Sequence, residues 1–242
     1  AIDARLATGV SIYNAGLISM SDAIIDLGYH AVTGNYFLNY GTVHVDGDNA
    51  IYMGHGAAGG GDGGTLVPTA VPSLNPNAFY NGGVIDFQDG HADDSLTIIG
   101  DFAGDGDINV DVSGLHEASD VLYIDGSVVA GTVGTINVDL VDLPDGIESL
   151  VPMVYVSGDS VAGNFVLGDV EWDDVNTFVT LDFDLVADID ASNATPDTFS
   201  LGIEVTGLSD PGALAATVPG SIQSLMNSQV GTWRQRMGVI DQ

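Results

Sequence analysis

The sequence predicts an all-β fold. It reads as a β-solenoid of stacked coils, followed by a β-rich C-terminal cap and a short terminal α-helix. Three observations carry this. One pattern, apolar-x-Asn-x-Gly-x-apolar-x-apolar, occurs three times, around Asn14, Asn39 and Asn81. Of 34 acidic residues only Glu117, Glu148, Glu171 and Glu204 are Glu, leaving 30 Asp beside 33 Gly, a composition that favours tight turns over helix. Short alternating stretches separated by turn residues then fill most of the second half.

The repeats come first in the chain. They run from Ile12 to Met20, from Phe37 to Val45 and from Phe79 to Phe87, with Asp22, Asp46 and Asp89 shortly after each. The first two asparagines are 25 residues apart and the next two 42. Residues 55–77, HGAAGGGDGGTLVPTAVPSLNPN, explain the longer step as an inserted surface loop of about 17 residues. In the expected coil, Asn and Gly form a corner through positive φ, and the residues after it point alternately in and out. One coil cannot bury its inner face alone, so coils stack. The stacked Asn side chains would bond one another as a ladder. Phe79 and Tyr80 are expected in the core at this corner.

Further strands are expected at residues 95–102, 107–112, 120–124, 134–141, 150–156, 164–167, 177–190 and 198–205, with turns such as Asp125-Gly126 and Ser157-Gly158-Asp159 between them. Residues 177–190 alternate almost strictly, as in a half-exposed antiparallel strand or hairpin. After Pro219-Gly220, Ser221 reads as an N-cap. Ile222, Leu225, Met226, Val230, Trp233, Met237 and Ile240 then recur mostly every three or four residues, predicting a helix. The expected organisation is 1–118 coils with the inserted loop at 55–77, 119–218 cap, and 219–242 terminal helix.

Charge narrows the function. The chain has three basic residues, Arg5, Arg234 and Arg236, and a net charge of −31. Nucleic acid and anionic membrane surfaces are poor partners for it. There is no Cys, which excludes disulfides and thiol chemistry. No apolar run approaches the roughly 20 residues of a membrane-spanning helix. No signal peptide is expected at the start, where the pattern begins in mid-repeat as in a fragment.

Candidate chemistry is sparse. Asp105, Asp107, Asn109 and Asp111 alternate as calcium ligands would, but the stretch lacks the late Glu of an EF-hand and reads better as a turn entering a strand. Asp182, Asp184, Asp188 and Asp190 read as one solvated face. His30, His44, His55, His91 and His116 include no pair at helical metal spacing. His91 to Asp94 with His116 is a conceivable polar site, though a turn is the simpler reading. There is no G-x-S-x-G elbow, and the glycine run at residues 59–64 lacks a P-loop Lys. The sequence therefore names no catalytic, cofactor-binding or metal residue, and Ca²⁺ stays open.

Taken in order, several segments resemble the C-terminal part of the passenger of classical, type Va autotransporters of Gram-negative bacteria. These are Asn81-Gly82-Gly83-Val84-Ile85-Asp86, then Asp94 to Gly100, then Ser119-Asp120-Val121-Leu122-Tyr123-Ile124-Asp125-Gly126. Residues 134–138 and 150–156, the Phe165-bearing strand 164–167, and Gly231 to Gly238 at the start of the terminal helix follow. The resemblance implies a right-handed parallel β-helix with an autochaperone-like cap, and export through an outer-membrane translocation barrel belonging to the same polypeptide. It implies a non-enzymatic, monomeric stalk at the cell surface that supports its own secretion and folding and takes part in adhesion or display. Two other readings stay open: a surface polysaccharide-processing enzyme on the same scaffold, and a calcium-stabilised adhesin or surface-layer module.

Overall fold

The structure is a computed structural model that describes residues 2–3, 10–27, 34–53, 77–144, 146, 148–172, 179–192 and 194–209. The predicted loop at 55–77 (Asn77 apart), the predicted helix at 219–242 with Ser221, and Arg5, Arg234, Arg236, His30 and His55 lie outside the described residues.

The fold is all-β. In chain order the strands are β1 (Ile2–Asp3), β2 (Ser11–Asn14), β3 (Leu17–Ser21), β4 (Ile24–Asp26), β5 (Tyr36–Asn39), β6 (Thr42–Asp46), β7 (Asp48–Tyr52), β8 (Ala78–Asn81), β9 (Val84–Asp86) and β10 (Ser95–Ile99). There follow β11 (Asp101–Gly104), β12 (Asp107–Ser113), β13 (Ala118–Ser119), β14 (Val121–Asp125), β15 (Gly134–Asp142), β16 (Glu148–Val156), β17 (Phe165–Glu171), β18 (Val179–Asp188) and β19 (Asp197–Leu208).

These strands form three sheets, ordered β2-β5-β8-β11, β3-β6-β9-β12-β15-β17 and β1-β4-β7-β10-β14-β16-β19-β18. From β2 to β10 the chain visits the sheets in fixed rotation, so each strand pairs in parallel with the one three places before it. The visits to the other two sheets supply the long crossover that parallel pairing requires. The rotation continues through β16, with β13 folded back antiparallel on β12 and Val128 bridging Phe102 where a full strand would stand, and β17 then joins the second sheet with no described strand of the first sheet between it and β16.

Alternation fixes which side chains go inward, and stacking brings like residues together. Ile18, Val43, Ile85, Ile108, Ile136 and Leu167 pair in one row, and Ile25, Ile51, Ile98, Ile124 and Val156 in another. Phe37, Phe79, Phe102, Phe165 and Phe199 touch in a third, the first three stacked, Phe165 tilted to Phe102 and Phe199 edge-on to Phe165, with ring centroids 4.8 to 6.0 Å apart. All five rings are buried, each worth about 1.5–3 kcal/mol of transfer energy.

The three aligned asparagines lie in register, Asn14 opposite Asn39 and Asn39 opposite Asn81. Their corner does not use positive φ, which among the described non-glycine residues occurs at Asp22, Asn77 and Glu117. Glycine is required there by close approach instead: a methyl on Gly41 would overlap the Gly16 carbonyl, and one on Gly83 the Gly41 carbonyl. The strand expected at 95–102 is broken at Gly100 (φ +148°), where a Cβ would meet the Asn77 carbonyl oxygen at 2.6 Å and Met53 at 2.7 Å. Phe79 is buried as expected, but Tyr80 is only half-buried because its ring lies on the outer face. Residues 179–188 alternate between half-buried and exposed along their whole length.

The chain divides into two compact units, residues 1–172 with 183–203, and residues 173–182 with 204–242. In the second, the described residues are 179–182, within β18, and 204–209, of β19 and just after it, where Thr180 Oγ1 lies 3.1 Å from Thr206 Oγ1.

Candidate functional site

The feature that most needs a physical account is a group of three buried aspartates where the chain passes from the second sheet into the third. Asp94 and Asp120 each stand one residue before a strand, β10 and β14, and Asp111 lies within β12. All three side chains are buried. Parallel pairing of β7, β10 and β14 stacks Gly47, Asp94 and Asp120 on successive levels. Each carboxylate takes the backbone N–H of the level before it. Asp94 Oδ1 accepts from Gly47 N, and Asp120 Oδ1 accepts from Asp94 N at 2.9 Å. Asp120 Oδ2 accepts from Asp111 N at 2.7 Å, and Asp111 Oδ2 accepts from Asp89 N and Gly90 N at 2.8 and 2.7 Å.

These bonds satisfy donors that the turn would otherwise leave unpaired. They do not neutralise the charge. Burial pushes the Asp120 carboxyl up to about 7, against the lowering effect of the Asp111 and Asp94 N–H groups and with further upward pressure from the Asp111 and Asp94 charges. Burial likewise raises Asp94, countered by the Gly47 N–H, and Asp111, countered by the Asp89 and Gly90 N–H groups. Asp94 Oδ2 and Asp111 Oδ1 have no hydrogen-bond partner within the described chain. The arrangement ties a turn together and holds a titrating group near neutral pH.

The calcium-like stretch does not converge. Asp105 is exposed at one end and Asp111 is buried at the other, while Asn109 is engaged by Asn137 at 3.0 Å. Among the described residues no group of three or more His, Asp or Glu side chains could hold a metal ion. Asp182, Asp184 and Asp188 lie on the exposed side of β18. Asp190 instead gathers its own loop, accepting from Ser192 N, Ser192 Oγ, Ala194 N, Thr195 N and Thr195 Oγ1. His91 and His116 are not brought together with Asp94. His91 Nδ1 lies 3.2 Å from Asp89, and His116 sits in an exposed turn with its N–H on Ser113 Oγ. His44 is half-buried with Nδ1 3.7 Å from Asp86.

Sequence reasoning passed over two features. The aspartate row was signalled by Asp94-Ser95-Leu96-Thr97-Ile98 and Asp120-Val121-Leu122-Tyr123-Ile124, which share Asp-x-Leu-x-Ile at a 26-residue spacing. The outer faces also carry tyrosines in contact across strands. Tyr123 and Tyr155 pair in register and stack at 5.2 Å beside a shallow hollow of about 380 Å³ that reaches Thr97, Asp125, Ser157 and Pro196. Tyr13, Tyr40 and Tyr80 form a second row.

No family model, no curated protein and no solved structure matches this chain.

Proposed function

We propose that the three parallel sheets are the three faces of one right-handed β-helix, and that the chain is a non-enzymatic stalk of the autotransporter passenger kind. On this reading it is exported through an outer-membrane barrel of its own polypeptide and folds at the cell surface, where it holds an adhesive or display region.

The observation that supports the reading best is the parallel pairing that recurs from β2 to β17, in full register from β2 to β11 and with local shifts where β15 pairs β12 and β17. Such a fold grows by adding one coil to the last, so a nucleus near one end gives its folding a direction. A chain that folds only after crossing a pore benefits from that direction. The absence of Cys leaves nothing to crosslink it in transit. Residues 120–170 are the nucleus in this proposal. They hold the longest strands of the register, β15 and β16 at nine residues each, and the Phe165 ring that Phe102 touches.

Refolding of the purified chain, followed by protease resistance of residues 10–53, tests the proposal. Deletion of residues 120–170 is expected to slow the return of that resistance at least tenfold. Deletion of residues 10–27 is expected to leave the return of resistance in residues 78–170 unchanged. Equal refolding after either deletion overturns a C-terminal nucleus.

A further inference from the structure

On the outer face of the β2-β5-β8-β11 sheet, Tyr13 and Tyr80 pair on either side of Leu38. Tyr40, which follows β5, places its ring between theirs, with centroids 5.3 Å from Tyr13 and 5.5 Å from Tyr80. Gly82 leaves room for this, since a Cβ there would come within 2.7 Å of the Tyr80 ring and 3.2 Å of Tyr40. One level further the row drops from tyrosine to alanine, because Ala103 pairs with Tyr80. The drop opens a cavity of about 240 Å³ lined by Tyr80, Ala103, Gly104, Asp105 and the turn at residues 129–132. Asp105 is exposed, and its Oδ1 accepts the Tyr80 hydroxyl at 3.4 Å. Its charge also reaches both rings. After burial, it adds to the rise of the Tyr80 pKa, and after burial and Tyr13 it adds to that of Tyr40.

We propose that this cavity binds the guanidinium of an arginine side chain presented by a partner protein. The face of an aromatic ring attracts a cation, and the neighbouring carboxylate accepts the planar N–H fork. A chain of net charge −31 draws cations toward its surface before any contact is made. The cavity is smaller than the roughly 300–1,000 Å³ of sites for drug-sized molecules, which suits the head of one side chain. The row suits a flat neutral sugar chain less well. The Tyr40 ring is tilted 36° to Tyr13 and 46° to Tyr80, so the three present no common plane. The inference is independent of the export reading.

The test is an NMR titration of the whole chain, at about 0.15 M salt to screen its diffuse field, with a capped Gly-Arg-Gly peptide and its uncharged citrulline isostere. The arginine peptide is expected to shift Tyr80 and residues 103–105 saturably, and the citrulline peptide to shift neither. Tyr80→Leu changes no charge and places the residue that already stands at position 38. It is expected to weaken binding about two- to fivefold. Asp105→Asn is expected to weaken it by a similar factor, whereas Asp188→Asn, which removes one charge from β18, leaves it unchanged. The proposal is overturned by absence of binding, by equal shifts from citrulline, by insensitivity to Tyr80→Leu, or by equal losses from Asp188→Asn and Asp105→Asn. A neutral oligosaccharide that shifts these residues while the arginine peptide does not would overturn it as well.

Discussion

Two rows of polar side chains turn the chain from one sheet to the next, and they do it with opposite electrostatics. In the asparagine row each amide both gives and takes. Asn14 Nδ2 donates to Asn39 Oδ1 at 2.8 Å and to Thr42 O at 3.0 Å, and Asn39 Nδ2 repeats this with Asn81 Oδ1 and Val84 O. The row is self-complementary and neutral, so it extends through buried levels at no electrostatic cost. Carboxylates only accept. The aspartate row must therefore be fed by backbone N–H groups at every level, and each level adds buried charge that its neighbours resist. The contrast teaches that a neutral amide suits indefinite stacking, whereas an acid ladder is short and pH-sensitive.

The largest effect should come from removing the middle rung. Asn39→Ala takes away the acceptor of buried Asn14 and the donors to buried Asn81 and to half-buried Val84, and is expected to cost about 3–4 kcal/mol in urea denaturation. A loss below about 1 kcal/mol would mean that the ladder is decoration on a stack held by its phenylalanines. The glycines beside the ladder sharpen the point. Gly41→Ala drives a methyl into the Gly16 carbonyl and is expected to cost about 2–3 kcal/mol, while the first-level Gly16 has nothing within 4 Å of its Cβ position. Gly16→Ala should stay within about 0.5 kcal/mol of the parent by the same measurement. Equal losses at the two positions would show that conformation, not close approach, selects glycine there.

That distinction is where sequence reading reached its limit at this corner. The recurring Asn-x-Gly exposed the stacking, because identical residues at a fixed spacing have few other causes. It did not expose why glycine stands there, since a positive φ and a backbone contact both demand the same missing Cβ. The aspartate row was harder to see. Its levels are Gly47, Asp94 and Asp120, and among 30 Asp residues a repeat of two stands out from nothing. Tyr40 escaped notice for a different reason. It is two positions out of register with Tyr13 and Tyr80 and reaches their row only through the length of its side chain.

The charged row makes a prediction of definite sign. The Asp120 carboxyl is raised in the folded chain to about 7 from an ordinary value of 3.8, so the folded state holds its proton more tightly than the unfolded state. Its penalty is complete above pH 7 and is relieved as the pH falls from 7 toward 3.8. Asp94 and Asp111 are shifted the same way. Stability contributed by the row is therefore expected to rise by about 2–3 kcal/mol between pH 8 and pH 5. Asp94→Asn keeps an oxygen for the Gly47 N–H and removes one of the charges that raise Asp120, so the slope between pH 5 and pH 8 should flatten. A slope unchanged by this variant would place its origin elsewhere in the molecule.

Asp190 supplies the opposite limb and the smallest expected effect. Its carboxylate accepts hydrogen bonds from Ser192 and Thr195, which hold it well below the usual carboxylate range, the Ser192 hydroxyl contributing most. A depressed folded value stabilises the chain above pH 3.8, and that stabilisation fades as the pH falls further. Asp190 is not desolvated as Asp120 is, and solvent screens its effect. The melting temperature should thus rise from pH 8 to about pH 5 and turn downward below pH 4. Asp190→Asn should remove part of the acid-side fall and leave the neutral-side rise intact. If one substitution moved both limbs, the two aspartate environments would be coupled, and the contrast between the fully buried Asp120 and the half-buried Asp190 would fail.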